Sequence, residues 1–127
     1  MSGNSDGVPK DRPIDGIDTS AFMLGKSTTT GRESYLFFGP DAGPMSVKWG
    51  NIKVIFRYAD SFEKPIVKPY WPLVYDLTRD PHEDYNLMVY KLDMVWMLGP
   101  AGKVLSDYQK SVAEYPNIKP GEEFEGY

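Results

Sequence analysis

The sequence predicts an α+β domain: a small antiparallel β-sheet of three to four strands, packed against a long C-terminal helix. Three observations carry that expectation. Residues 45–56 read as two apolar runs joined by Gly50-Asn51. Residues 34–38 and 73–78 are two further short, strand-like runs. Residues 100–115 place Val104, Leu105, Tyr108, Val112 and Tyr115 at the spacing of one helix face. Strands followed by helices, with no β-α-β alternation, give an antiparallel sheet covered on one face.

The elements follow in chain order. Residues 1–16 hold Gly3, Gly7, Pro9, Pro13 and Gly16 and are expected to form an extended or disordered lead-in. The domain itself is expected over 17–121, with an acidic tail over 122–127. Residues 18–26 form a short helical turn, with Asp18 as N-cap and Gly25 as its stop. A first strand over 34–38 runs into the Gly- and Pro-rich loop 39–44. In the hairpin, Met45, Val47 and Trp49 alternate with Ser46 and Lys48, and Ile52, Val54 and Phe56 with Lys53, Ile55 and Arg57. One face is thus apolar and the other partly basic through Lys48, Lys53 and Arg57. Gly50-Asn51 suits a two-residue turn that needs positive φ. Pro65, Pro69 and Pro72 make residues 59–72 a loop or a broken edge segment. A last strand is expected over 73–78, a turn over 79–87 and an apolar helix over 88–98. Gly99-Pro100 is expected to break that helix, with Pro100 opening the next one and Pro116 ending it.

Composition bounds the chemistry. The chain has 127 residues, enough for one domain that buries about two-thirds of its unfolded surface. The balance of 14 basic and 18 acidic residues, net charge −4, argues against a nucleic-acid partner, which needs a basic stripe. No apolar run approaches the ~20 residues of a membrane-spanning helix, so no membrane partner is expected. The polar N-terminus shows no signal peptide. With no cysteine there is no disulfide framework, thiolate metal site or cysteine nucleophile.

Residues 72–87 gather Asp76, Asp80, Glu83 and Asp84 around His82, the chain's one histidine. A zinc site would want His82 and two or three more converging ligands, and neighbouring side chains diverge. The competing reading makes these acids turn and helix-start residues, with Asp84 or Asn86 as cap. Gly25-Lys26-Ser27 resembles the end of a P-loop, but the required earlier glycine is missing. No serine sits in a nucleophile elbow, and no pair of carboxylates is marked for glycoside hydrolysis. The aromatic residues Trp49, Tyr58, Tyr70 and Trp71 could stack on a sugar or base, or fill core.

Six phrases nevertheless fall into one order: VPKDRPIDGID at 8–18, FMLGKS at 22–27, GRES at 31–34, SVKWGNIKV at 46–54, PLVYDLTRDPHEDYNL at 72–87 and SVAEYPNIKPG at 111–121. Together they resemble the C-terminal end of arylsulfatases, within the sulfatase (alkaline-phosphatase-like) family, without its catalytic domain. The resemblance implies a four-stranded antiparallel sheet with a long C-terminal helix. It implies that the family's formylglycine, made from Cys or Ser in a Cys/Ser-x-Pro/Ala-x-Arg motif, and its calcium ion belong to a catalytic domain. No catalytic, cofactor-binding or metal-binding residue carries over to this chain. The implied partner is a sulfatase catalytic domain, or a second copy of the chain in a homodimer. Loops 39–44 and 59–72 are then the expected substrate-cleft or interface loops, with Asp41, Met45, Tyr70 and Trp71 as candidate residues. Val54-Ile55-Phe56 is more apolar than the family's usual stretch and 59–72 is long for a tight connection, both fitting a partner-seeking apolar surface. Three functions compete: a non-catalytic sulfatase subdomain, a free-standing binding or self-associating module, and a small hydrolase using the carboxylates around His82.

Overall fold

A computed structural model of the chain describes Gly7, residues 13–116 and residues 121–123. Most of the expected lead-in and tail lies outside those residues. The element order is α1 (Ser20–Met23), β1 (Ser34–Phe38), β2 (Pro44–Trp49), β3 (Ile52–Ile55), β4 (Leu73–Asp76), α2 (Leu87–Tyr90), a 3₁₀ segment (Leu92–Met97) and α3 (Leu98–Glu114). The four strands form one antiparallel sheet in the order β1-β2-β3-β4. The α+β class and the antiparallel sheet are therefore as the sequence predicts. The chain divides into two units, Glu33–Asp107 and Met1–Arg32 with Tyr108–Tyr127.

The larger unit holds the sheet. Its register places Leu36 opposite Val47, Val47 opposite Val54, and Val54 opposite Val74. One row of branched apolar side chains thus crosses all four strands on one face. Val47, Val54 and Val74 are fully buried, at 0%, 1% and 0% exposure. Met88, Met97 and Ala101 close the core with them, and Trp49, Ile52, Phe56, Met94, Leu98 and Val104 pack around it. β-branched side chains suit this position because their stiff rotamers fill a pleated surface. Val54 thus lies in the core and Phe56 packs, partly buried, against it. The opposite face carries Tyr35, Phe37, Lys48 and Lys53, with the Lys53 ammonium 5.1 Å from the Phe37 ring centre and 2.6 Å from Glu83 Oε1.

The hairpin turns at Gly50, which alone of the pair takes positive φ, 55°. β4 stops two residues before the expected end. Leu77 N–H donates to the Asn51 carbonyl, and Asp76 Oδ1 accepts from Thr78 and Arg79 N–H, which turns the chain away. Asn86 Oδ1 then accepts two backbone N–H groups, from Met88 at the start of α2 and from Val74 on the outer edge of β4. One amide oxygen caps the helix and blocks the sheet edge.

The apolar stretch 88–98 is not one helix. It breaks at Lys91, whose φ of −144° is extended, and resumes as 3₁₀. Nearly every residue there is apolar, so periodicity has no phase to show. Packing decides it: the break resets the phase so that Met88 and then Met94 and Met97 all reach the sheet. Gly99-Pro100 does not break the chain either, because α3 starts at Leu98 and runs through both. Pro100 sits in the first turn, where N–H groups have no intrahelical partner to lose. The predicted stripe Val104, Leu105, Tyr108, Val112 and Tyr115 is half-buried, and Lys103, Asp107, Gln109 and Lys110 are exposed.

In the other unit, Ser20 N–H donates to Asp18 Oδ1 while Thr19 occupies the N-cap position of α1, one residue later than expected. Gly25 ends the turn with φ of 69°. Arg32 Nη2 donates to the Asp15 carbonyl at 2.6 Å.

Two substitutions test this account. Val54→Thr puts an unpartnered hydroxyl at the centre of the valine row and should lower unfolding free energy by about 1–3 kcal/mol. Asn86→Ala strands two backbone donors and should cost a similar ~1–3 kcal/mol. Urea denaturation monitored by tryptophan fluorescence measures both.

Candidate functional site

Regular pairing in the sheet ends at Ser46, and the irregularity beyond it builds the site. On one side, β1 skips from Phe37 opposite Ser46 to Phe38 opposite Pro44, leaving Met45 unmatched. On the other, the N–H groups of Phe56 and Arg57 both donate to the Met45 carbonyl, at 2.9 and 3.1 Å. Two residues facing one is a β-bulge, which bends the strand and re-aims the side chains that follow. Arg57 was expected on the basic face beside Lys53. The bulge instead turns it to loop 39–44.

There Arg57 makes a two-pronged ion pair with Asp41, Nη1 to Oδ2 at 2.8 Å and Nη2 to Oδ1 at 3.3 Å, and Nε donates to the Pro44 carbonyl at 3.1 Å. Asp41 Oδ1 also accepts the Gly43 N–H. The loop closes on itself through Gly39 N–H to the Gly43 carbonyl and Ala42 N–H to the Gly39 carbonyl, with Ala42 at φ 56°. Side-chain ends approach both glycines closely. A Cβ on Gly39 would lie 2.6 Å from Met45 Cε, and one on Gly43 would lie 2.3 Å from Arg57 Nη2.

Across from this loop, Tyr58 and Val67 exchange both backbone hydrogen bonds in a single antiparallel bridge that ties off the intervening segment. Between the two loops lies an open cleft of about 630 Å³, lined by Phe38, Gly39, Pro40, Met45, Ala59, Asp60, Ser61 and Phe62. Its lining is mainly apolar, with a few polar groups, as ligand sites commonly are. Phe62 is 94% exposed, although it is a large apolar side chain.

Of the residues singled out in the sequence, Met45 lines this cleft and Asp41 holds one wall. Tyr70 and Trp71 lie past the bridge, outside the lining, and stack edge-to-face on each other at 5.9 Å with Tyr70 95% exposed. Phe38, Asp60, Ser61 and Phe62 carry no signal in the sequence that singles them out, and Arg57 stands out there only as part of a basic face. Loop composition marks the segment but not which of its side chains face a cleft, and the bulge leaves no trace in the apolar alternation.

The acidic stretch 76–84 is arranged for the backbone. Asp80 Oδ1 and Oδ2 accept the N–H groups of Asp84 and Tyr85. Asp76 holds the preceding turn, and Glu83, at φ 61°, pairs with Lys53. Asn86, not Asp84, is the helix cap. His82 is exposed. Among the described residues no three His, Cys, Asp or Glu side chains group closely enough to hold a metal ion.

No protein-family model matches the sequence, and no curated protein matches it. Among solved structures, the chain is similar to the PsFucS1 sulfatase from Pseudoalteromonas sp., with a TM-score of 0.74 and 21% sequence identity. The match covers 92% of this chain and 24% of that one, so the chain spans about a quarter of the sulfatase's length. The shared fold corresponds to part of a larger sulfatase chain.

The Arg57 guanidinium, followed by the Gly43 N–H, holds the Asp41 carboxyl below its ordinary value. The folded chain then binds this proton less readily than the unfolded chain. The stability it contributes is fully present above the unfolded carboxylate's pKa, near 3.9, and is lost as pH falls through the lower folded value. Asp41→Asn should therefore flatten the acid limb of the stability curve below about pH 4. Chemical denaturation from pH 2 to 7 measures it.

Proposed function

We propose that this chain is the C-terminal, non-catalytic subdomain of an arylsulfatase-type sulfuric ester hydrolase. In this reading it packs on a catalytic domain and helps wall the substrate cleft with loops 39–44 and 59–72. The observation that supports the reading most is the fold match, in which nearly the whole chain corresponds to one quarter of a sulfatase. The ordered phrases at 8–18, 22–27, 31–34, 46–54, 72–87 and 111–121 point the same way. The formylglycine and the calcium ion would belong to the catalytic domain and supply the bond-breaking chemistry there.

The role left to this chain is geometric. The Asp41–Arg57 pair ties down one wall, and the Tyr58–Val67 bridge closes off the segment that forms the other. Preformed walls reduce the ordering cost of binding.

A second reading, a free-standing or self-associating module, is favoured by the exposed apolar side chains Phe62, Tyr70 and Trp71. Three experiments separate these readings. The purified chain should give no turnover of a chromogenic sulfate ester, and turnover that His82→Ala abolishes with the fold intact would establish a small hydrolase instead. A coding frame for a Cys/Ser-x-Pro/Ala-x-Arg domain joined to this one supports the subdomain reading. A concentration-dependent dimer in sedimentation, with no such frame, supports the module.

A further inference from the structure

We infer that the outer edge of β1 pairs antiparallel with β1 of a second copy of this chain, about a two-fold axis through Leu36, joining two four-stranded sheets into one. The inference goes beyond the subdomain reading, because it rests on a strand edge outside the cleft.

The two edges of the sheet are finished differently. β1 and β4 are the outer strands. On β4 the outward groups are occupied: Val74 N–H donates to Asn86 Oδ1, and the Asp76 carbonyl accepts from the Arg79 and Asp80 N–H groups. β1 has no such cover. The Glu33 carbonyl accepts the Gly50 N–H, so the main-chain groups of Glu33, Tyr35 and Phe37 face β2. Those of Ser34 and Leu36 then point away from the sheet, and among the described residues nothing bonds to them on that side. β1 also holds no proline and no charged residue, the usual devices that protect an edge.

The occupant follows from the strand's own pattern. Pairing about Leu36 sets that residue against its counterpart, where the two exchange both backbone hydrogen bonds. It sets Tyr35 against the partner's Phe37, and Phe37 against the partner's Tyr35. These are non-hydrogen-bonded positions, where facing side chains come closest. Both rings are exposed, at 50% and 38%, and already meet edge-to-face at 5.0 Å. Two such pairs make one four-ring cluster and remove apolar surface from water. Charge permits the approach: Glu33, adjoining the strand, faces the partner's Gly39, so no like charges oppose there. One open edge per copy closes the assembly at two. The contact is small. A pair of five-residue strands falls short of the roughly 1,200 Å² of a standard interface. The dimer is therefore weak, with a dissociation constant on the order of 0.1 mM.

Sedimentation of the full chain, from about tenfold below that constant to about tenfold above it, should show monomer giving way to dimer and nothing larger. Over the same range the Leu36 amide should become protected from hydrogen exchange. Tyr35→Glu with Phe37→Glu sets each new carboxylate near a lysine of its own sheet, Lys48 or Lys53. Across the axis it opposes like charges twice, and should weaken the dimer by about tenfold or more. Tyr35→Glu with Phe37→Lys opposes unlike charges in the same register and should recover most of that affinity. Phe62→Ser, on loop 59–72, should leave the dimer unchanged. The first two readouts use the unaltered chain, so the test stands even if a variant fails to fold. A chain that stays monomeric, growth beyond two copies, an unprotected Leu36 amide in the dimer, indifference to the two-carboxylate variant, equal weakening by both charge variants, or dissociation by Phe62→Ser would each overturn the inference. The coding-frame and turnover experiments above do not involve β1, so a failure there and a failure here are separate results.

Discussion

A single row of side chains, Leu36, Val47, Val54 and Val74, fixes the register of every strand in the sheet. Strand side chains alternate between faces, so a one-residue slip in β2 or β3 would move its valine to the opposite face and bring a polar neighbour, Ser46 or Lys48 in β2 or Lys53 in β3, to the core face. Each buried valine contributes about 1.5–3 kcal/mol relative to exposure. Small domains are stable by only about 5–15 kcal/mol, so such a slip is not tolerated. Helical elements follow from the same row. Met88, Met97 and Ala101 must cover it, and the chain breaks at Lys91 so that they can.

That fixed register has a consequence at the far end of the sheet. With Val47 pinned, Ser46 is the last residue paired regularly on both sides, and Met45 must serve two neighbours whose strands diverge. The bulge at Phe56 and Arg57 absorbs the mismatch. It swings Arg57 to Asp41, and the ion pair gives loop 39–44 a set shape. The cleft is therefore a product of core register passed along one strand. A substitution in the valine row would be felt there even though no residue of the row lines the cleft.

The acidic stretch after β4 shows how far local charge can mislead. Its carboxylates look concentrated in sequence, but Asp76 and Asp80 accept from separate backbone donors and Glu83 pairs with Lys53. Short acidic side chains near their own backbone offer turns an alternative to water. Asn86 does the most, joining the sheet edge and α2 through one oxygen. A cluster of acids without convergence is a set of caps.

The sequence by itself determined the α+β class, the β1 range, the hairpin about Gly50-Asn51 and the stripe along α3. Those features rest on local periodicity and on glycine's conformational freedom, both of which act between near neighbours. It also marked the two loops, through their glycine and proline content. The ordered phrases suggested a sulfatase subdomain, and the fold match agrees with that at the level of architecture. The break at Lys91, the passage of α3 through Gly99-Pro100 and the redirection of Arg57 were decided only by the tertiary structure. Each depends on what a residue far along the chain requires: a methionine reaching a valine row, a first turn that lends no hydrogen bond to lose, a carboxylate waiting across a bulge. A linear pattern carries no record of such distant partners, so the cleft they build becomes visible only when the strands are in register.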